Sequence, residues 1–154
     1  MGFINNKPCV RLFEFMKKHP VTMLLVVVIW VVCMVPVPET PLNDVAFVDK
    51  WTHLVMYMVL SAVVAVEHWH VKRRRQAPTG RNDNSAAPLL SACDVTLLVW
   101  LFPVVMGGVI ELVQAYCTGG NRSGDWMDFL ADGAGSTLVA LLTGILLAVC
   151  RARA

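Results

Sequence analysis

Charge is scarce in this chain. Asp, Glu, Lys and Arg make up 16% of its 154 residues, against about 25% in soluble domains, which excludes an ordinary soluble fold. The five cysteines, at positions 9, 33, 93, 117 and 150, contain no C-x-x-C pair, so the usual cysteine metal frameworks are excluded too. Nothing resembles a nucleotide-binding loop, a nucleophilic triad or a haem site. Ser123, between Arg122 and Gly124, lacks the context of a nucleophile elbow and reads as a turn residue. Gly2 with Asn6 does not fit the myristoylation pattern. The alternation of polar and apolar residues that marks membrane-spanning strands is missing. No small-residue cleavage site follows the first apolar run, where Met34, Val35, Pro36, Val37 and Pro38 stand, so that run is expected to be a retained helix.

What is present is apolar: 56% of the residues are hydrophobic. Four runs stand out, over 21–37, 51–69, 95–117 and 129–150. Each is close to the roughly 20 residues that a helix needs to cross about 30 Å of hydrocarbon. The expected fold is all-α, an integral membrane bundle of four transmembrane helices forming one domain over 21–150. Residues 1–20, with Phe13, Phe15, Lys17 and Lys18, form an interfacial segment. The polar stretch 71–88 reads as a linker.

Eleven of the thirteen basic residues precede the first run, separate the second from the third, or follow the fourth. Only Lys50 and Arg122 fall in the other two connections. The positive-inside rule therefore puts both termini and the middle linker in the cytoplasm. The run Lys72, Arg73, Arg74, Arg75 beside a membrane helix is a topology signal attracted to lipid headgroups, and no nucleic-acid partner is inferred from it. Glu67, His68 and His70 at the same interface are expected to pair, solvated, with those arginines. Cys117 lies at the external end of the third run and the other membrane cysteines read as packing residues.

The few polar residues at membrane depth are clustered in sequence. Asp49, Lys50, His53 and Tyr57 open the second run, Glu111 and Gln114 close the third, and Arg122, Asp125, Asp128 and Asp132 follow. Each ionisable group near hydrocarbon costs about 2.5 to 3.5 kcal/mol on insertion scales, so a cluster demands partners or a purpose. The charge topology brings all of these residues to the outer membrane face. At about 100° per residue, Asp49, His53 and Tyr57 share an arc of roughly 80°, and Gly107, Glu111 and Gln114 one of about 60°. Asp128, Asp132, Gly135, Ser136 and Thr143 line a stripe on the fourth helix. Such faces pack inward, so three helices are expected to share one outward-facing polar funnel.

The order Asp49-Lys50-x-x-His53-x-x-x-Tyr57, then Glu111-x-x-Gln114, then Arg122 with Asp125, Asp128 and a Gly/Ala-rich helix, resembles the VanZ-like membrane proteins. The likeness covers residues 44 to about 145. It implies a small multi-pass protein of the bacterial cytoplasmic membrane, in a family whose founding member is associated with low-level teicoplanin resistance at the cell envelope. The family commonly has Asn where Asp132 stands here.

Several chemistries suit these residues. In a site for a membrane lipid or lipid-linked cell-wall precursor, His53, Glu111 and Asp132 are the candidates for proton exchange or catalysis. Asp49, Lys50, Tyr57, Gln114, Arg122, Asp125 and Asp128 would bind substrate, with Lys50 and Arg122 holding phosphate or carboxylate. No cofactor is called for. A metal site ranks low at this stage, because one histidine is available and Lys50 and Arg122 would repel a cation. Proton or ion transport is the alternative, weakened by the apolar inner halves of the helices. The other alternative is that the polar residues only staple helix ends together.

Overall fold

The computed structural model describes residues 14–35, 48–76, 90–117 and 124–153, which are almost wholly helical and contain no strand. After a helical turn over 14–18, helix α1 runs Pro20–Met34, α2 Val48–Gln76, α3 Ala92–Cys117 and α4 Trp126–Ala152. Helices α2, α3 and α4 are each long and apolar enough to cross a membrane. The chain is thus a multi-pass membrane protein with three helices of spanning length. Helix α1 is apolar but shorter, its 15 residues rising roughly 22 Å.

Local sequence sets the helix starts. Pro20 occupies the first turn of α1, where a missing N–H costs little. Ser91 and Asp94 form a capping box at the start of α3: Asp94 N donates to Ser91 Oγ at 3.1 Å, and Ser91 N donates to the Asp94 carboxylate at 2.7 Å. Asp125 caps α4 by accepting from Met127 N at 2.8 Å. Within α3, Val95–Leu101 is π-helical. Pro103 explains it, having no N–H for the Val99 carbonyl and a ring that presses on it; the widened turn before the proline, where Phe102 N reaches Leu97 O, absorbs the misfit.

Helices α2 and α4 run side by side in the same direction and share the most extensive packing in the bundle. Helices α1 and α3 run the opposite way. The starts of α2 and α4 therefore meet the ends of α1 and α3, as the charge topology requires. Gly135 makes the α2–α4 seam close: a Cβ there would stand 3.1 Å from Met58 N and 3.3 Å from Leu54 C. Where the exterior is as apolar as the core, such small-residue approaches decide the packing. Leu60, Val64, Val99 and Ile110 fill the core, while Leu141, Leu142, Ile145 and Leu146 of α4 and Leu24, Val27 and Val31 of α1 face outward.

The segment expected to be linker from residue 71 is helical through Gln76. Lys and Arg are good helix formers and favour a helix C-terminus. Lys72 bonds Asp94, and the Arg73 guanidinium lies 5.4 Å from the Trp69 ring. The rest of that linker, residues 1–13 and the proline-rich first connection lie outside the described residues.

Candidate functional site

The polar ends of α2, α3 and α4 do meet, and they form two layers. The outer layer is built on Lys50. Its ammonium bonds the Asp125 carboxylate, lies 2.7 Å from Asp128 Oδ1 and 3.9 Å from Asp49 Oδ2. Asp128 is buried, Lys50 partly so, and Asp49 is exposed. The Lys50 hydrogen bond holds the Asp125 carboxyl below its usual range. Lys50 thus neutralises aspartates of this chain, and its charge is directed away from the deeper residues.

The inner layer holds His53, Glu111, Asp132 and Tyr57, all at least nine-tenths buried. His53 lies one helical turn below Asp49, and its Nδ1 is hydrogen-bonded to Asp132 Oδ1 at 2.9 Å. Glu111 reaches from α3 to the start of α4, where its Oε2 accepts from Asp125 N at 2.8 Å. That bond satisfies a donor just before α4 and ties the two helices. Among the described residues the remaining oxygens, Glu111 Oε1 and Asp132 Oδ2, have no hydrogen-bond partner, nor has the Tyr57 hydroxyl. Tyr57, a turn deeper on the same face of α2, lies within electrostatic reach of both carboxylates. Each unsatisfied buried polar atom costs about 1 to 3 kcal/mol, more when charged.

Gly107 makes room for this arrangement. A Cβ at that position would lie 2.5 Å from Asp132 Oδ2 and 3.1 Å from the Asp132 Cβ. Gly124 serves the connection into α4 in the same way, since a Cβ there would lie 2.9 Å from that of Ala115.

Of the sequence candidates, Asp49, Lys50, Asp125 and Asp128 gather in the outer layer and His53, Tyr57, Glu111 and Asp132 in the inner one. Gln114 stands apart. Its amide donates to the Cys33 carbonyl at 2.7 Å, one of the last carbonyls of α1, which have no partner within their own helix. It ties α1 to α3. Arg122 lies outside the described residues.

A second polar cluster occupies the opposite end of the bundle, and there Glu67 and His68 have partners other than the expected arginines. Glu67 instead caps α1, accepting from Val21 N at 3.0 Å, Thr22 N at 2.9 Å and the Thr22 hydroxyl at 2.7 Å. His68 Nδ1 lies 3.1 Å from His19 Nε2, and its Nε2 lies 3.4 Å from Asp94 Oδ1. The first amides of α1, which have no partner in their own helix, are a stronger partner for a carboxylate than an arginine in water. Pro20 preceding an apolar run, with one glutamate near the end of the next helix, was the available signal.

The chain matches no family model, no curated protein and no solved structure.

Proposed function

We propose that this chain is a VanZ-like protein of the bacterial cytoplasmic membrane, and that its inner polar layer binds or modifies a lipid-linked component of the cell envelope. In this reading α1 is a fourth span, both termini are cytoplasmic, and the site opens outward. The positive-inside pattern supports that orientation. Lys50 with Asp125 and Asp128 forms the rim, and His53, Glu111 and Asp132 face the ligand.

The observation that carries the proposal is the set of unpartnered atoms in the inner layer. Glu111 Oε1, Asp132 Oδ2 and the Tyr57 hydroxyl come from three helices and are buried without hydrogen bonds among the described residues. A staple would use its polar atoms, as Glu67 does at the other end of the bundle. Groups left unsatisfied at some expense in stability are the mark of a site shaped for something else. Proton passage is the weaker reading, because the buried face of α2 below Tyr57 is Leu60, Ser61, Val64 and Ala65, which offers one hydroxyl over two turns.

Native mass spectrometry of the protein purified from membranes in mild detergent tests the proposal. A co-purifying lipid of defined headgroup is expected on the unmodified chain and is expected to be lost from His53→Ala and Glu111→Gln. An identical lipid spectrum on all three proteins would refute it.

A further inference from the structure

We propose that His53, Glu111 and Asp132 form a binding site for one divalent transition-metal ion of the zinc class. The inference rests on the reading of the inner layer as a ligand site and names what that site holds. One imidazole nitrogen and two carboxylate oxygens, from α2, α3 and α4, all lie within 4.8 Å of one another. All three residues are buried, with 3%, 8% and 0% of their surface exposed.

Three further observations point to a cation. The unpartnered atoms are of the right kind: Glu111 Oε1 and Asp132 Oδ2 are buried carboxylate oxygens with no hydrogen-bond partner among the described residues. Gly107 lets the Asp132 carboxylate into the cluster, since any side chain there would collide with Asp132 Oδ2. The charge also balances. A neutral imidazole and two carboxylates offer two negative charges, so a divalent ion makes the filled site neutral, the state that membrane depth tolerates.

Of the two side chains expected to repel a cation, Arg122 lies outside the described residues, and Lys50 is neutralised by its partners. Lys50 is shared between Asp125 and Asp128, so that group carries more negative than positive charge. The alternative set of Asp49, His53 and Asp128 also has its atoms within 4.8 Å. It is the poorer site, because Asp128 is paired with Lys50 and Asp49 is exposed.

Ligand chemistry selects the ion. Calcium and magnesium seek six or more oxygens, and calcium avoids nitrogen, whereas zinc accepts one imidazole with two carboxylates. Zinc bonds of about 2.0 to 2.2 Å set tetrahedral ligands ~3.3 Å apart, so His53 Nδ1 and Asp132 Oδ1, 2.9 Å apart, separate slightly as the ion takes the place of any proton between them. Three protein ligands leave a fourth position open, as in zinc sites that bind a substrate oxygen.

The test is zinc titration of chelator-treated full-length protein in mild detergent, by calorimetry, with elemental analysis for stoichiometry. The expected result is one zinc per chain with a Kd below about 10 µM, weakened at least tenfold in His53→Ala, Glu111→Gln and Asp132→Asn. Circular dichroism of the metal-free variants checks that they remain folded, and the two isosteric variants keep the test meaningful if His53→Ala does not. His68→Ala and Cys117→Ser, remote from the cluster, are expected to bind zinc as the unmodified chain does. Absence of saturable binding, or binding that survives all three cluster variants, overturns the proposal. Loss of lipid on those substitutions without any zinc binding would refute the metal alone. Zinc binding without a retained lipid would refute the lipid reading and leave the metal site standing.

Discussion

The closeness of α2 to α4 gives the sharpest prediction, through two glycines two residues apart. A Cβ at Gly135 would stand 3.1 Å from Met58 N and 3.3 Å from Leu54 C, both backbone atoms that cannot rotate aside. A Cβ at Gly133 meets nothing within 4 Å. Replacing either glycine with alanine gains about 1 kcal/mol of helix propensity. Only Gly135→Ala must push the helices apart, and overpacking of this kind costs about 1 to 3 kcal/mol. The propensity gain is common to both and cancels in the comparison. Gly133→Ala should therefore be the more stable of the two by about 1 to 3 kcal/mol. Reversible unfolding in mixed micelles with increasing sodium dodecyl sulfate, followed by circular dichroism, measures the difference. Variants that unfold within about 0.5 kcal/mol of each other would refute the seam, since surface-like substitutions stay within that range. Leu54 adjoins His53, and Asp132 precedes Gly135 by three residues, so the same seam sets the distance between the two site residues.

Three other expectations follow from particular contacts. Glu67→Ala removes the acceptor for the first amides of α1 and should cost on the order of 1 to 2 kcal/mol; limited proteolysis should then cut near residue 20 faster than in the unmodified chain. Lys50→Met leaves Asp128 buried without its cation, so adding Asp128→Asn should recover part of the loss. A double-mutant cycle on unfolding should give a coupling of about 0.5 to 3 kcal/mol, and zero coupling would show that the pair does not form. Cys93 and Cys117 are exposed at opposite ends of α3. In intact cells a membrane-impermeant maleimide should label a variant whose only cysteine is Cys117 and spare one whose only cysteine is Cys93; the reverse pattern would invert the proposed orientation.

The helices were legible because hydrocarbon enforces a simple code. Runs of about 20 apolar residues and a skew of Lys and Arg located α2, α3 and α4 and the end at which their polar residues gather. Helical phase then placed His53 and Tyr57, Glu111, and Asp132 on inward faces. The division of the site into two layers was not legible. It depends on which carboxylates Lys50 reaches, and a long flexible side chain carries no periodicity that would tell. Gln114 fell on the same stripe as Glu111 yet serves the α1 carboxyl end, because phase gives a direction and not a partner. The role of Glu67 was hidden for a related reason: its partners are backbone amides of α1, which any sequence supplies. Gly107 and Gly135 differ from Gly133 only in what the neighbouring helix brings near, and that is a property of the assembled bundle.

The central claim is that the inner layer is a ligand site and not a device for holding helices together. Unfolding free energies of Glu111→Gln and Asp132→Asn, measured on chelator-treated protein, test it most directly. Each substitution keeps an acceptor for the bond that exists, to Asp125 N or to His53 Nδ1, and removes a charge whose second oxygen has no partner among the described residues. If the layer is a ligand site, both variants should be as stable as the unmodified chain, or more stable by up to about 2 kcal/mol. A loss of more than about 2 kcal/mol in both would contradict the claim, since that is how contacts that tie helices together behave.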